Sequence, residues 1–128
     1  MHDRVVGSEL PSVGALAYLG DAYHSLYVRR MLVLRGLTKS KDLNLEALRY
    51  ITAESQARMY KRIEPLLLED EREVHRRAFN SQHLNKPKHA TGVEYRTATG
   101  FEALIGMLYW IGDEERLSLL LEKAHTEE

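Results

Sequence analysis

Apolar residues recur along this chain at spacings of three and four from near one end to the other, and no alternating segment of useful length interrupts them. That period is helical. Pro11-Ser12 offers a helix start, after which Leu16, Leu19, Tyr23, Leu26, Tyr27 and Arg30 keep the period until Gly36 ends it. The opposite seam of the same helix reads Gly14, Ala17, Asp21, His24, Ser25 and Val28. Small residues one turn before Asp21 let a second helix approach closely, which predicts that Asp21 lies at a helix–helix contact and not on an open face.

Thr38 or Ser40 can cap a short helix carrying Leu43, Leu45, Ala47 and Leu48, and Thr52 begins another through about Ile63. Pro65 interrupts the pattern. From Leu66 to about Ser81 the apolar members are Leu67, Leu68, Val74, Ala78 and Phe79, with the acidic run EDERE (69–73) where negative charge suits a helix N-terminus. That run is expected to be a solvated face. Residues 83–93, HLNKPKHATGV, lose the period and form the most basic irregular segment. A long helix from about Glu94 to Ile111, a Gly112-Asp113 turn and an amphipathic helix from Glu114 to about Ala124 complete the pattern. It predicts an all-α fold of six or seven helices in one domain, residues 1–128.

Composition narrows the function classes. With 44% apolar and 29% charged residues the chain reads as an ordinary globular protein. No apolar run reaches the ~18–20 residues of a membrane span, and the N-terminal MHDRVVGSELPS lacks a signal-peptide core, so a cytoplasmic protein with no membrane partner is expected. Zero cysteines remove disulfides and thiolate chemistry, leaving oxygen or imidazole ligands for any metal. A net charge of −1 means that a nucleic-acid partner would be held by a local patch or by metal.

Two carboxylates stand out against this background. Asp21 in AYLGDAYHSLYVRR (17–30) and Glu102 in YRTATGFEALIGMLYW (95–110) each interrupt an apolar helical run. An uncompensated charge on a packed face costs several kcal/mol, so such a residue needs a partner. One shared Mg2+ is one solution, since that ion takes one or two carboxylates and keeps several waters. Structural pairing with Arg29, Arg30 or Arg96 is the other, and the spacing leaves both open. His24 is expected to be a packed, hydrogen-bonded histidine, and Tyr18, Tyr23, Tyr27, Tyr109 and Trp110 core or interface aromatics.

At these same residues the chain resembles a known family. LGDA (19–22) and EALIG (102–106) look like the two halves of the ribonuclease III endonuclease signature, and the match is closest to Mini-ribonuclease III, the short bacterial branch without a double-stranded-RNA-binding domain. The resemblance runs from ALAYLGDA through Glu54–Ala57, the Asn80 region and the PK loop to YRTATGFEALIG. It implies a ribonuclease III fold working as a homodimer, with Asp21 and Glu102 as catalytic and magnesium-binding residues. The implied reaction is hydrolysis of double-stranded RNA to 5′-phosphate and 3′-hydroxyl ends, in maturation of 23S ribosomal RNA precursor, with no nucleotide cofactor. Lys86, Lys88, His89, Arg96 and Asn80 are the expected RNA contacts.

Departures from the four-carboxylate pattern of full-length ribonuclease III enzymes sit at Ala17, one turn before Asp21, and Thr99, three before Glu102. The short branch shows the same reduction. It typically carries Gly-Arg before the asparagine, where this chain has Ala78-Phe79, so Arg76 or Arg77 would have to supply that arginine. Two other classes compete: a non-catalytic double-stranded-RNA-binding or ribosome-associated dimer of the same fold, and an all-α nucleotide pyrophosphohydrolase. The latter uses several carboxylates at ExxE-type spacing, and none flank Asp21 or Glu102.

Overall fold

A computed structural model describes residues 10–81 and 92–126. Within them the chain forms α1 (Val13–Leu34), α2 (Ser40–Ile51), α3 (Ala53–Ile63), a 3-10 turn (Glu64–Leu66), α4 (Glu69–Asn80), α5 (Gly92–Ile111) and α6 (Glu114–Ala124), with no strand among the described residues. Three starts follow local side-chain chemistry, whereas α2 begins after Lys39 with no side-chain cap from the expected Thr38 or Ser40. Side-chain oxygens of Ser12, Thr52 and Asp113 accept from the backbone N–H of Ala15, Ser55 and Arg116, satisfying donors that a first turn leaves open. Gly36 (φ 98) and Gly112 (φ 77) take the left-handed conformation that ends α1 and α5.

The long α5 is the axis of the fold. It buries residues on nearly every side, from Thr97 and Ala98 through Phe101 to Leu108, as a helix surrounded by others must. Helices α1, α3, α4 and α6 all lie against it, and α2 bridges α1 and α3. The core joins Leu16, Val28 and Leu32 of α1 to Met59 and Ile63 of α3, Phe101, Leu104 and Met107 of α5, and Leu117 and Leu121 of α6.

Burial on α1 draws on both seams, taking Leu16 from the aliphatic stripe and Ala17, His24 and Val28 from the opposite one. Leu16, Ala17, Gly20, His24, Val28 and Leu32 are buried, while Leu26 and Leu34 face outward. The reason is the approach of α5: a Cβ added at Gly20 would lie 2.6 Å from the Glu102 carbonyl carbon, and one at Gly106 would lie 2.7 Å from that of Leu16. Only glycine at both positions lets the two backbones touch.

The EDERE run departs from expectation at Glu71, which is fully buried. Both of its oxygens accept from Arg116, Nε and Nη2, at 2.8 Å, and one also accepts from the Leu68 N–H at 2.8 Å. Arg116 further donates to the Leu66 carbonyl at 2.7 Å. This desolvated ion pair clamps the start of α6 to the start of α4, and its geometry supplies the compensation that a buried charge requires. A pairing between helices so far apart in the chain leaves no local periodicity to read.

Candidate active site

Asp21 lies mid-way along α1 and Glu102 mid-way along α5, and the glycine-lined crossing of those two helices brings them together. Their carboxyls are in hydrogen-bond contact. Glu102 is partly buried, whereas Asp21 is exposed, so Asp21 sits at the open lip of the contact and not inside it as the small-residue seam suggested. The exposure has a simple cause: Gly20 is the residue aimed at α5, and its neighbour is rotated toward solvent. Burial, then the hydrogen bond and charge of Asp21, push the Glu102 carboxyl up to about 9, against a smaller opposing effect of a hydrogen bond from Gln56.

No arginine or lysine pairs with either carboxylate among the described residues, so the structural ion-pair alternative finds no partner there. No third aspartate, glutamate or histidine joins them to form a larger ligand cluster among the described residues. The donor set fits a hard divalent cation. Two oxygen ligands on facing helices repel one another when both ionise, and a cation that keeps most of its waters relieves that repulsion while leaving positions for phosphate oxygens. A pyrophosphohydrolase-like array of several carboxylates is not what these residues form.

A buried polar chain supports Glu102 from behind. Gln56 of α3, 2% exposed, is hydrogen-bonded to Glu102 and holds its Nε2 3.1 Å from Nδ1 of His24. His24 is fully buried, and its Nε2 lies 2.9 Å from Nε2 of His125, just past α6. These partners assign the tautomers: the Gln56 amide donates to Glu102 and to His24 Nδ1, and His24 then donates through Nε2 to His125. Burial, and then the nearby His125, push His24 down to about 3, so the ring is neutral at physiological pH. His24 is thus the packed histidine expected, with an edge-on contact to Phe101 at 5.4 Å.

The remaining sequence-predicted positions are dispersed. Ala17 is buried one turn below Asp21, and the Thr99 hydroxyl donates to the Tyr95 carbonyl at 3.0 Å, leaving its lone pairs as acceptors. Asn80 closes α4 and is exposed, and Arg96 is exposed one turn into α5, its guanidinium 5.9 Å from the Phe79 ring centre. Phe79 also lies beside His75, so it supports Arg96 on one side and the core on the other. Arg76 and Arg77 both pair with Glu73. Lys86, Lys88 and His89 lie outside the described residues.

Sequence reasoning included Gln56 only within the Glu54–Ala57 stretch of the resemblance and gave it no role. Its signal was weak, a lone amide within the helical stretch Thr52–Ile63, and only packing of α3 against both α1 and α5 reveals what it serves.

The geometry agrees with what the chain resembles. A model of the "Ribonuclease III domain" family matches residues 14–113, which include both carboxylates. A Mini-ribonuclease 3 of Symbiobacterium thermophilum is 46% identical over 109 residues, covering 85% of this chain and 84% of that one. A Mini-ribonuclease 3 of Streptococcus pneumoniae is 43% identical over 109 residues, covering 84% and 85%. Among solved structures, protein FN1578 from Fusobacterium nucleatum superposes with a TM-score of 0.80 at 31% identity, covering 89% of this chain and 91% of its own.

Proposed function

The chain belongs to the ribonuclease III family and is an endoribonuclease, and from that premise we propose that it cleaves double-stranded RNA at a site formed by Asp21 and Glu102. The observation that carries the assignment is the contact between two carboxylates, from helices far apart in sequence, with no basic partner among the described residues. Asp21 and Glu102 are the residues that would hold magnesium. When bound, the ion supplies water activation and neutralises charge on a phosphodiester oxygen. Products with 5′-phosphate and 3′-hydroxyl ends are expected.

The protein's own contribution is placement. Gln56 fixes the Glu102 carboxylate by donating to it, and His24 fixes Gln56 in turn. The Asp21 side chain, free on its outer face, meets the RNA backbone from the solvent side. Asn80 and Arg96, with Lys86, Lys88 and His89, contribute phosphate and sugar contacts, the mode by which duplex RNA is read. Arg96 lies six residues before Glu102 on one helix, about 9 Å along its axis, close enough for one duplex to meet both.

The functional unit is a homodimer formed by residues 1–128 as a single domain. Tyr18 (80% exposed), Leu26 (64%) and Val33 (59%) recur on one outward face of α1, more apolar surface than a monomer of this size normally leaves in water. The substrate within the cell is 23S ribosomal RNA precursor in the cytoplasm. Support for that step is the kinship with Mini-ribonuclease 3 proteins. No helix among the described residues is long and apolar enough to cross a membrane.

Cleavage of uniformly labelled duplex RNA by wild type and Asp21→Asn, with and without magnesium, tests the site. Metal-dependent cutting by the wild type that vanishes in Asp21→Asn, while duplex binding persists, is the expected result. Wild-type binding without cutting would instead return the chain to the non-catalytic reading, with Ala17 and Thr99 as the cause.

A further inference from the structure

Among the described residues, cavities of differing charge balance open between the helices. One beside α4 gathers Arg72, Arg76 and Arg77 with Glu69, Asp70 and Glu73, and another sets Lys61, Arg72 and Arg76 beside Glu64. The first balances three cations with three carboxylates, and the second sets one carboxylate against three cations. A third, about 230 Å3, lies between the end of α2, the outer face of α3 and the end of α6, and is lined by Arg49, Arg58, Arg62, Ser55, Tyr50 and His125. Among the described residues no carboxylate lines it.

Its cationic side chains are held in place. Arg58 donates to the Ser55 hydroxyl at 3.2 Å, and that hydroxyl in turn donates to the Arg49 carbonyl at 2.7 Å. Arg62 donates to the Ala124 carbonyl at 2.6 Å, tethering it to the end of α6. Neither Arg58 nor Arg62 forms an ion pair among the described residues, while Arg49 pairs with Glu46 at 2.8 Å. A guanidinium has five N–H donors, so these anchors leave most of each donor set available. Guanidinium groups brought to one small cavity repel each other unless an anion sits among them, and planar forked donors suit a tetrahedral oxyanion.

We propose that this cavity is a phosphate-binding site, distinct from the carboxylate pair, in which Arg58 and Arg62 grip the phosphate oxygens. The Tyr50 hydroxyl, which accepts from Arg35 and keeps its own hydrogen, stands at the wall, while the Ser55 hydroxyl, already donated to the Arg49 carbonyl, serves to anchor Arg58. The phosphate has two sources with the same chemistry: a free phosphate or phosphomonoester, or a backbone phosphate of a bound RNA. The first source is independent of the nuclease reading, so failure of one does not carry the other with it.

Thermal unfolding of the wild-type protein in EDTA, titrated with inorganic phosphate against sodium chloride of equal ionic strength, reads the first source. A saturable rise in Tm, roughly 5 °C at ten times the half-saturating concentration, is expected beyond the chloride control. It should be lost in Arg58→Gln, an exposed position whose replacement leaves the fold intact, and partly retained in Arg58→Lys. Duplex-RNA binding in EDTA as a function of salt reads the second source. If phosphate gives no shift but the slope of log K against log salt falls by about 1 in Arg58→Gln, the site takes RNA phosphate. A phosphate shift no larger than the chloride shift, with an unchanged salt slope in Arg58→Gln, overturns the proposal.

Discussion

Replacing Gly106 by alanine puts a methyl group into the closest crossing in the fold. The new Cβ would stand 2.7 Å from the Leu16 carbonyl carbon and 3.1 Å from its Cα, with the carbonyl oxygen nearer still. All three atoms are backbone, so no side-chain rotation relieves the clash. Restoring ordinary contact requires α1 and α5 to separate by about 1 Å or more. Overpacking of this kind costs about 1–3 kcal/mol, and at about 4 °C per kcal/mol for a chain of this length Tm should fall by roughly 4–12 °C. The same separation pulls Asp21 of α1 away from Glu102 of α5, and a 1 Å misplacement at a reacting centre costs on the order of 100-fold in rate. Gly14→Ala, in the first turn of α1 with nothing within 4 Å of its Cβ, is the control. Alanine's better helix propensity makes that change neutral or stabilising by up to about 1 kcal/mol. Differential scanning calorimetry and duplex-cleavage rates of the two variants decide the matter. A Gly106→Ala protein that melts and cuts like Gly14→Ala would refute the close crossing and the placement of the site upon it.

Two further outcomes follow from the groups around the site. Gln56→Leu removes the amide that donates to Glu102 and to His24, and a lost outer support of this kind weakens metal binding by about 10–100-fold, read as a shift in the magnesium needed for half-maximal cleavage and for thermal stabilisation. Unchanged magnesium dependence would remove Gln56 from the site. His75, stacked 3.7 Å from the Tyr60 ring and donating to the Thr97 carbonyl at 3.3 Å, is pushed by burial down to about 4. The unfolded chain binds that proton near pH 6.5, so the contribution of neutral His75 is full above that pH and is lost as pH falls toward 4. Between pH 7 and pH 5 the His75 share of the loss is about 2 kcal/mol, which the difference between wild type and His75→Gln in urea unfolding at the two pH values should isolate.

Much of this protein was legible in its sequence because the relevant physics is local. The 3.6-residue period, Ser12, Thr52 and Asp113 as caps, and Gly36 and Gly112 as stops act within a few residues, and the helices begin and end within a few residues of where these signals place them. Glu102 was legible for a different reason, since a charge inside an apolar run is an anomaly that needs compensation, whereas Asp21 lies exposed and was legible through the resemblance carried by LGDA (19–22). Which face of α1 is buried was legible only in part, since the small-residue seam announced a close helix contact but not that Asp21 would lie outside it. Aliphatic residues such as Leu26 and Leu34 satisfied the same period as the small-residue seam, and only the approach of α5 to Gly20 decided between them. Tertiary structure alone likewise buried Glu71 against Arg116, aimed Gln56 at both His24 and Glu102, and gathered Arg58, Arg62 and His125 around one cavity. Each of these pairs residues on different helices, where the energy depends on distances of a few ångströms that the order of residues along a chain does not specify.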